Sequence, residues 1–236
     1  MIQQVYRTYQ KKYNLSLPKI TSIKYVNSKN FWAQFLSEDL YNQKYILYID
    51  NSLLVRNKKF IKQTLFHEFT HLSDSLNFLN NNYEEFKIIM ISYSEFHASK
   101  REMIERIEEV EENNVNLQTN ITHEGILTIQ SFMDQTFVHM KNDLEKMSKN
   151  KSLEHFFYET NNIYYFYGYV SALQKFNIAY NINVHELNII FYTNIFEIQN
   201  NLLQKDIDIK NLVALHTKLI ENIQNLYTIN KMIKQN

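Results

Sequence analysis

Of 236 residues, 44% are hydrophobic, and 25 lysines and arginines balance 25 aspartates and glutamates. A folded globule is expected, and a nucleic-acid binder is not, because affinity for phosphate needs a basic excess. With no cysteine, two glycines and one proline, the chain has no disulfide, no thiolate metal site and few means of building hairpins or phosphate loops, so long helices are favoured.

Residues 2–13 read as a short helix that stops near Pro18. Strands are expected over 20–26 and 31–36, and most clearly over 45–49, where Tyr45-Ile46-Leu47-Tyr48-Ile49 is bounded by Asn and Asp. A helix comes next over 58–78, with apolar residues at Phe60, Ile61, Leu65, Phe69, Leu72 and Leu76. Asn80-Asn81-Asn82 is a turn, and a second long helix runs over 83–110 into an acidic patch at Glu108, Glu109, Glu111 and Glu112.

From about Gly125 onward everything reads as helix, in segments 125–147, 152–177, 184–204 and 209–233. The expected fold is α+β and mostly helical: a small sheet packed on one helix in residues 1–112, then an all-helical part in 113–236. No apolar run approaches the ~18 residues of a membrane span, and Met1 to Arg7 lacks a signal peptide's basic start and apolar core. The expectation is a soluble, cytoplasmic chain with neither membrane nor nucleic acid as partner; its oligomeric state is left open.

The chemistry is concentrated in His67-Glu68-Phe69-Thr70-His71. Residues four apart on a helix share a face one turn apart, so both imidazoles can reach one tetrahedral Zn²⁺. Glu68 lies about 100° around the helix, from where its carboxylate can take a proton from a metal-bound water without being a ligand. His123-Glu124 and His185-Glu186 have no second histidine four residues on and read as surface residues.

A catalytic zinc needs a third protein ligand. If the helices flanking residue 81 form an antiparallel hairpin, residue x faces about residue 163 − x, because both rise about 1.5 Å per residue. The centre of the histidine pair then faces position 94, which points to Glu95 and leaves Glu102 about two turns too far. Asp74 is the competitor; on a continuous helix it suits a hydrogen bond to a ligand histidine better than a place on the metal. The tyrosine-rich run Tyr164 to Tyr169 is placed to fold over the cleft, although so many aromatics more often mark a core or an interface.

Thr64 to Asp74 followed by Ser94-Glu95-Phe96-His97-Ala98 resembles the gluzincin branch of zincin metallopeptidases, in which a glutamate from a second helix completes the site. The His-Glu-Phe-x-His-x-x-Asp wording is also similar to lethal-factor-type and prophage zinc peptidases of low-GC Gram-positive bacteria. The resemblance covers residues 44–102. It implies a zincin-like small sheet on the active-site helix and hydrolysis of a protein or peptide substrate, with Zn²⁺ on His67, His71 and Glu95, Glu68 as base, and an oxyanion-stabilising Tyr93 or His97 beside Glu95, Tyr93 being the catalytic candidate. The competing expectation is a zincin-like scaffold that has lost hydrolysis and binds a protein partner through its helical half.

Overall fold

A computed structural model of the chain describes residues 1–111, 114–123, 125–149, 160–182 and 192–233. Helix α1 (Ile2–Tyr13) closes on Asn14, whose left-handed backbone (φ 51°) returns its N–H to the last turn. Strands β1 (Ser22–Val26), β2 (Ala33–Phe35) and β3 (Ile46–Asp50) form one sheet in the order β1-β3-β2, with β1 parallel and β2 antiparallel to β3. A short helix α2 (Ser37–Tyr41) lies between β2 and β3, and a 3-10 turn (Asn51–Val55) comes after β3. Neither short helix is expected from the sequence, because one turn is too brief to show a hydrophobic period.

Helix α3 (Lys58–Phe78) begins at Asn57, whose side chain accepts from Phe60 N at 2.8 Å. It is a buried helix rather than a surface one. Phe60, Leu65, Phe66 and Phe69 pack with Leu47 and Ile49 of the sheet and with Tyr6 and Tyr9 of α1 in one core. The edge-on contacts of Tyr6 with Phe69 (4.8 Å) and Tyr9 with Phe66 (5.2 Å) seat α1 on α3. His67, Glu68 and Asp74 are carried into the interior on this helix.

The long helix expected over 83–110 is three pieces: α4 (Tyr83–Ile89), a π-helical stretch (Met90–Ser94) and α5 (Glu95–Glu108). Ser92 Oγ donates to Ile88 O at 2.6 Å inside the wide turn, a side chain competing for a helix carbonyl. Stretches of this kind are frequent at functional sites, and this one delivers Ser94 and Glu95.

Residues 126–128, expected to be helical, instead form β5 (Ile126–Thr128), paired antiparallel with β4 (Asn120–Thr122). Two short runs rich in Ile and Thr flank a turn at Gly125, and β-branched residues fit a pleated ribbon better than a helix start. Helices α6 (Ile129–Lys149), α7 (Asn161–Lys175), α8 (Tyr192–Leu202) and α9 (Ile209–Ile233) complete the chain order. The expected starts at 152 and 184 lie outside the described residues.

The second core joins α6 to α9 with the far face of α5 through Phe96, Met103, Ile104 and Ile107. Helix α5 therefore belongs to both halves, with α3 on one side and α7 on the other. Gly168 makes the second contact possible: a Cβ there would run into the Phe96 carbonyl and come within 2.8 Å of Ser99 Cβ. Among the described residues no helix is long and apolar enough to cross a membrane.

Candidate metal centre

The α3 and α5 helices bring His67, His71 and Glu95 together, with one ligand atom of each within 4.8 Å of the others. His67 Nε2 lies 3.1 Å from His71 Nε2 and 3.2 Å from Glu95 Oε1, and His71 Nε2 lies 3.4 Å from Glu95 Oε2. A tetrahedral ion with ligand bonds of ~2.0–2.1 Å has donors about 3.3–3.4 Å apart, so these separations fit one divalent ion. The group can hold a metal ion.

Each imidazole is oriented through its other nitrogen. His67 Nδ1 lies 3.0 Å from Glu102 Oε2, and His71 Nδ1 lies 2.8 Å from Ser94 Oγ. With Nδ1–H donated to Glu102, His67 presents the lone pair of Nε2 to the centre. Glu102 is itself held. Arg106 donates to its Oε1, and Tyr165 on α7 donates to its Oε2 at 3.2 Å. The same guanidinium also donates to Gln63 Oε1 (2.8 Å) and to the Thr122 carbonyl of β4. The Tyr165 ring lies 5.6 Å from the His67 ring.

Charge in this cluster is arranged around a cation. Burial disfavours a proton on His67, but Glu95 and Glu102 together outweigh it and hold the imidazole pKa well above its usual value. Burial raises the Glu102 carboxyl, and Arg106 and His67 overcome that to bring it to about 2. Glu95 is likewise kept ionised, against its burial, by the two histidines. A proton satisfies Glu102 against His67 Nδ1, and a proton or a metal ion satisfies Glu95 against the two Nε2 atoms.

Glu68 stands beside this group without belonging to it. Its Oε2 accepts from Phe35 N of β2 at 3.0 Å, so the edge of the sheet fixes one oxygen. Desolvation pushes its pKa up, opposed by His71 and His67.

Two expected roles move. Asp74 is not the partner of a ligand histidine: its two oxygens lie 2.9 and 3.1 Å from His97 Nδ1. Three residues beyond His71, it meets the first turn of α5 at His97, two residues past Glu95. Tyr93 accompanies that pair, its ring 5.7 Å from both Phe78 and His97. Two residues before Glu95 on the wide turn, its ring stands with Phe78 and His97 rather than with the histidine pair. Of the tyrosine-rich run, Tyr165 reaches the centre, whereas Tyr164 bonds His216 and Tyr167 bonds Gln199.

Glu102, Ser94, Arg106 and Gln63 are the residues that sequence reasoning missed. A signal existed. Glu95 and Glu102 are seven residues apart, two full turns, and Arg106 is one turn further, so all three lie on one stripe. No protein-family model, curated protein or solved structure matches the chain.

Proposed function

We propose that the protein is a zinc-dependent peptidase, with His67, His71 and Glu95 holding the ion and Glu68 acting as general base. The observation that carries this reading is the convergence of the three donors beside a carboxylate that is itself not a donor. Two imidazoles and one carboxylate are a set that zinc takes in catalytic sites, with a fourth position left open. When bound, zinc supplies polarisation of a substrate carbonyl and acidification of a water in that open position.

The chain's own residues supply the rest. Phe35 N–H pins Glu68 Oε2 and leaves Oε1 to accept the water's proton and return it to the departing amine. Glu102 and Ser94 hold the two imidazoles in orientation. His67 and Glu68 are 8% and 6% exposed, and such restricted access suits a narrow protein or peptide target.

Elemental analysis of protein purified without chelator, alongside His67→Ala and Glu68→Gln, tests the reading. About one zinc per chain is expected in wild type and in Glu68→Gln, and little in His67→Ala. Cleavage of candidate polypeptides is expected from wild type alone. Equal, negligible zinc in all three overturns the metal assignment. Undiminished cleavage by Glu68→Gln overturns the assigned base.

A further inference from the structure

Among the described residues, one edge of the β4–β5 hairpin is left unpaired. In an antiparallel ribbon, residues that exchange hydrogen bonds with the partner strand alternate with residues whose main-chain groups point away. Ile129 N donates to the Thr119 carbonyl at 2.9 Å and His123 N donates to the Gly125 carbonyl at 2.8 Å. With Ile121 paired to Leu127, Thr119, Ile121 and His123 must face β5. Asn120 and Thr122 turn their main-chain groups outward. The Thr122 carbonyl is met there by Arg106. Among the described residues nothing accepts from Asn120 N–H or Thr122 N–H, and nothing donates to the Asn120 carbonyl.

This edge is one wall of a cavity of about 320 Å³ whose other walls include Lys59 and Gln63 of α3, Arg106 of α5 and Glu109 at the C-terminal cap of α5. That volume is at the small end of ligand pockets. The cavity adjoins the metal centre through two of its own walls. Gln63 lies one helical turn before His67, and Arg106 bonds both Gln63 and the Glu102 that orients His67.

We infer that the outer edge of β4 is a docking rail for an extended polypeptide segment, which adds as a strand along Asn120–Thr122. Outward donors two residues apart match the main chain of an extended segment, whose like-facing groups share that period, and a helix offers no such row. Apart from Val110 and Ile121 the walls are polar, so a polar side chain of the segment is expected toward Gln63 and Arg106. The proposal rests on the peptidase reading only for the use of the bound segment, which would be the part of the substrate leading to the scissile bond.

The test uses random dodecapeptides displayed on phage and selected against the full-length Glu68→Gln protein, with affinities of the selected peptides measured by fluorescence anisotropy. Asn120→Pro removes one outward N–H while leaving the bonds to β5 in place, a substitution that edge positions tolerate. Thr122→Pro is the second variant, and circular dichroism checks the fold of both. Peptides are expected to bind Glu68→Gln, and to bind at least about tenfold more weakly to a folded proline variant made in the same background. Asn120→Ala in that background, which keeps the N–H, should bind like Glu68→Gln alone. Failure to select any peptide, or binding to the proline variants within twofold of Glu68→Gln alone, overturns the rail. So does a concentration-dependent dimer that Asn120→Pro dissolves, which would assign the edge to a second copy. Peptide binding without zinc in the wild type would sink the peptidase reading and leave the rail standing.

Discussion

Glu102 Oε2 lies 3.0 Å from His67 Nδ1, so the first histidine of the pair takes its orientation from a carboxylate two turns along the opposing helix. This contact, rather than Asp74, determines which imidazole nitrogen faces the centre. Glu102→Gln should therefore weaken metal binding ~10–100-fold, the range for partners that orient a ligand. Asp74→Asn should leave metal affinity within about twofold, since its partner is His97. Competition titrations against a zinc chelator decide the matter. Equal losses in the two variants would return Asp74 to the centre.

Tyr165 and Tyr93 should separate in the same assay. Tyr165→Phe keeps a ring against His67 but deletes the bond to Glu102. One hydrogen bond to a charged group that keeps other partners is worth about 1 kcal/mol, or about fivefold in metal affinity. On the proposed peptidase reading, Tyr93→Phe should change neither metal affinity nor hydrolysis. A large loss of turnover in Tyr93→Phe with zinc retained would place that hydroxyl at the reaction.

Gly168→Ala should destabilise the protein even though alanine is the better helix former by about 1 kcal/mol. The added methyl meets the Phe96 carbonyl and Ser99, so α5 and α7 must move apart, at a gross cost of about 1–3 kcal/mol that the helix propensity only partly offsets. The midpoint of denaturant unfolding is the measurement. An unchanged or raised midpoint would show that the two helices part without loss.

His216 is buried on α9 with Nδ1 bonded to Tyr164 at 2.7 Å and Nε2 without a partner among the described residues. Desolvation lowers its pKa to about 4. The unfolded chain, with a histidine pKa near 6.5, then binds more protons than the folded one between pH ~6.5 and ~4. The stability from keeping His216 neutral is present above pH ~6.5 and lost on acidification across that window, by up to about 3 kcal/mol. His67 works in the opposite sense in metal-free protein, because its folded pKa is raised. The readable quantity is thus a difference between proteins. His216→Gln should lose less stability than wild type between pH 6.5 and 5 in denaturant titrations, and parallel curves would show that His216 does not titrate as assigned.

The sequence by itself determined most of the local structure of the N-terminal half. The period of apolar residues and the Asn57 cap specify α3 from Lys58 to Phe78, and four-residue spacing alone puts His67 and His71 on one face. The hairpin turn at Asn80 to Asn82 brings a second helix alongside, and counting turns then reaches Glu95. These are short-range consequences of helix geometry, in which each residue's position depends only on its neighbours in the chain.

Tertiary structure alone decided the rest. The π-helical stretch and the packing of α5 on α3 set a register in which Glu102 meets His67 and His97 meets Asp74. Counting from the turn on two ideal helices misses that register, because a wide turn changes both the rise and the rotation of the residues beyond it. Tyr165 reaches the centre from a helix more than sixty positions away in the chain, across the gap left by Gly168. Main-chain partners such as Phe35 N–H leave no mark on residue type, so the sheet edge that holds Glu68 was invisible until the strands were placed. Contacts of that kind arise from where whole elements pack, and hydrophobic burial drives packing without direction; which polar groups then meet is decided by shape.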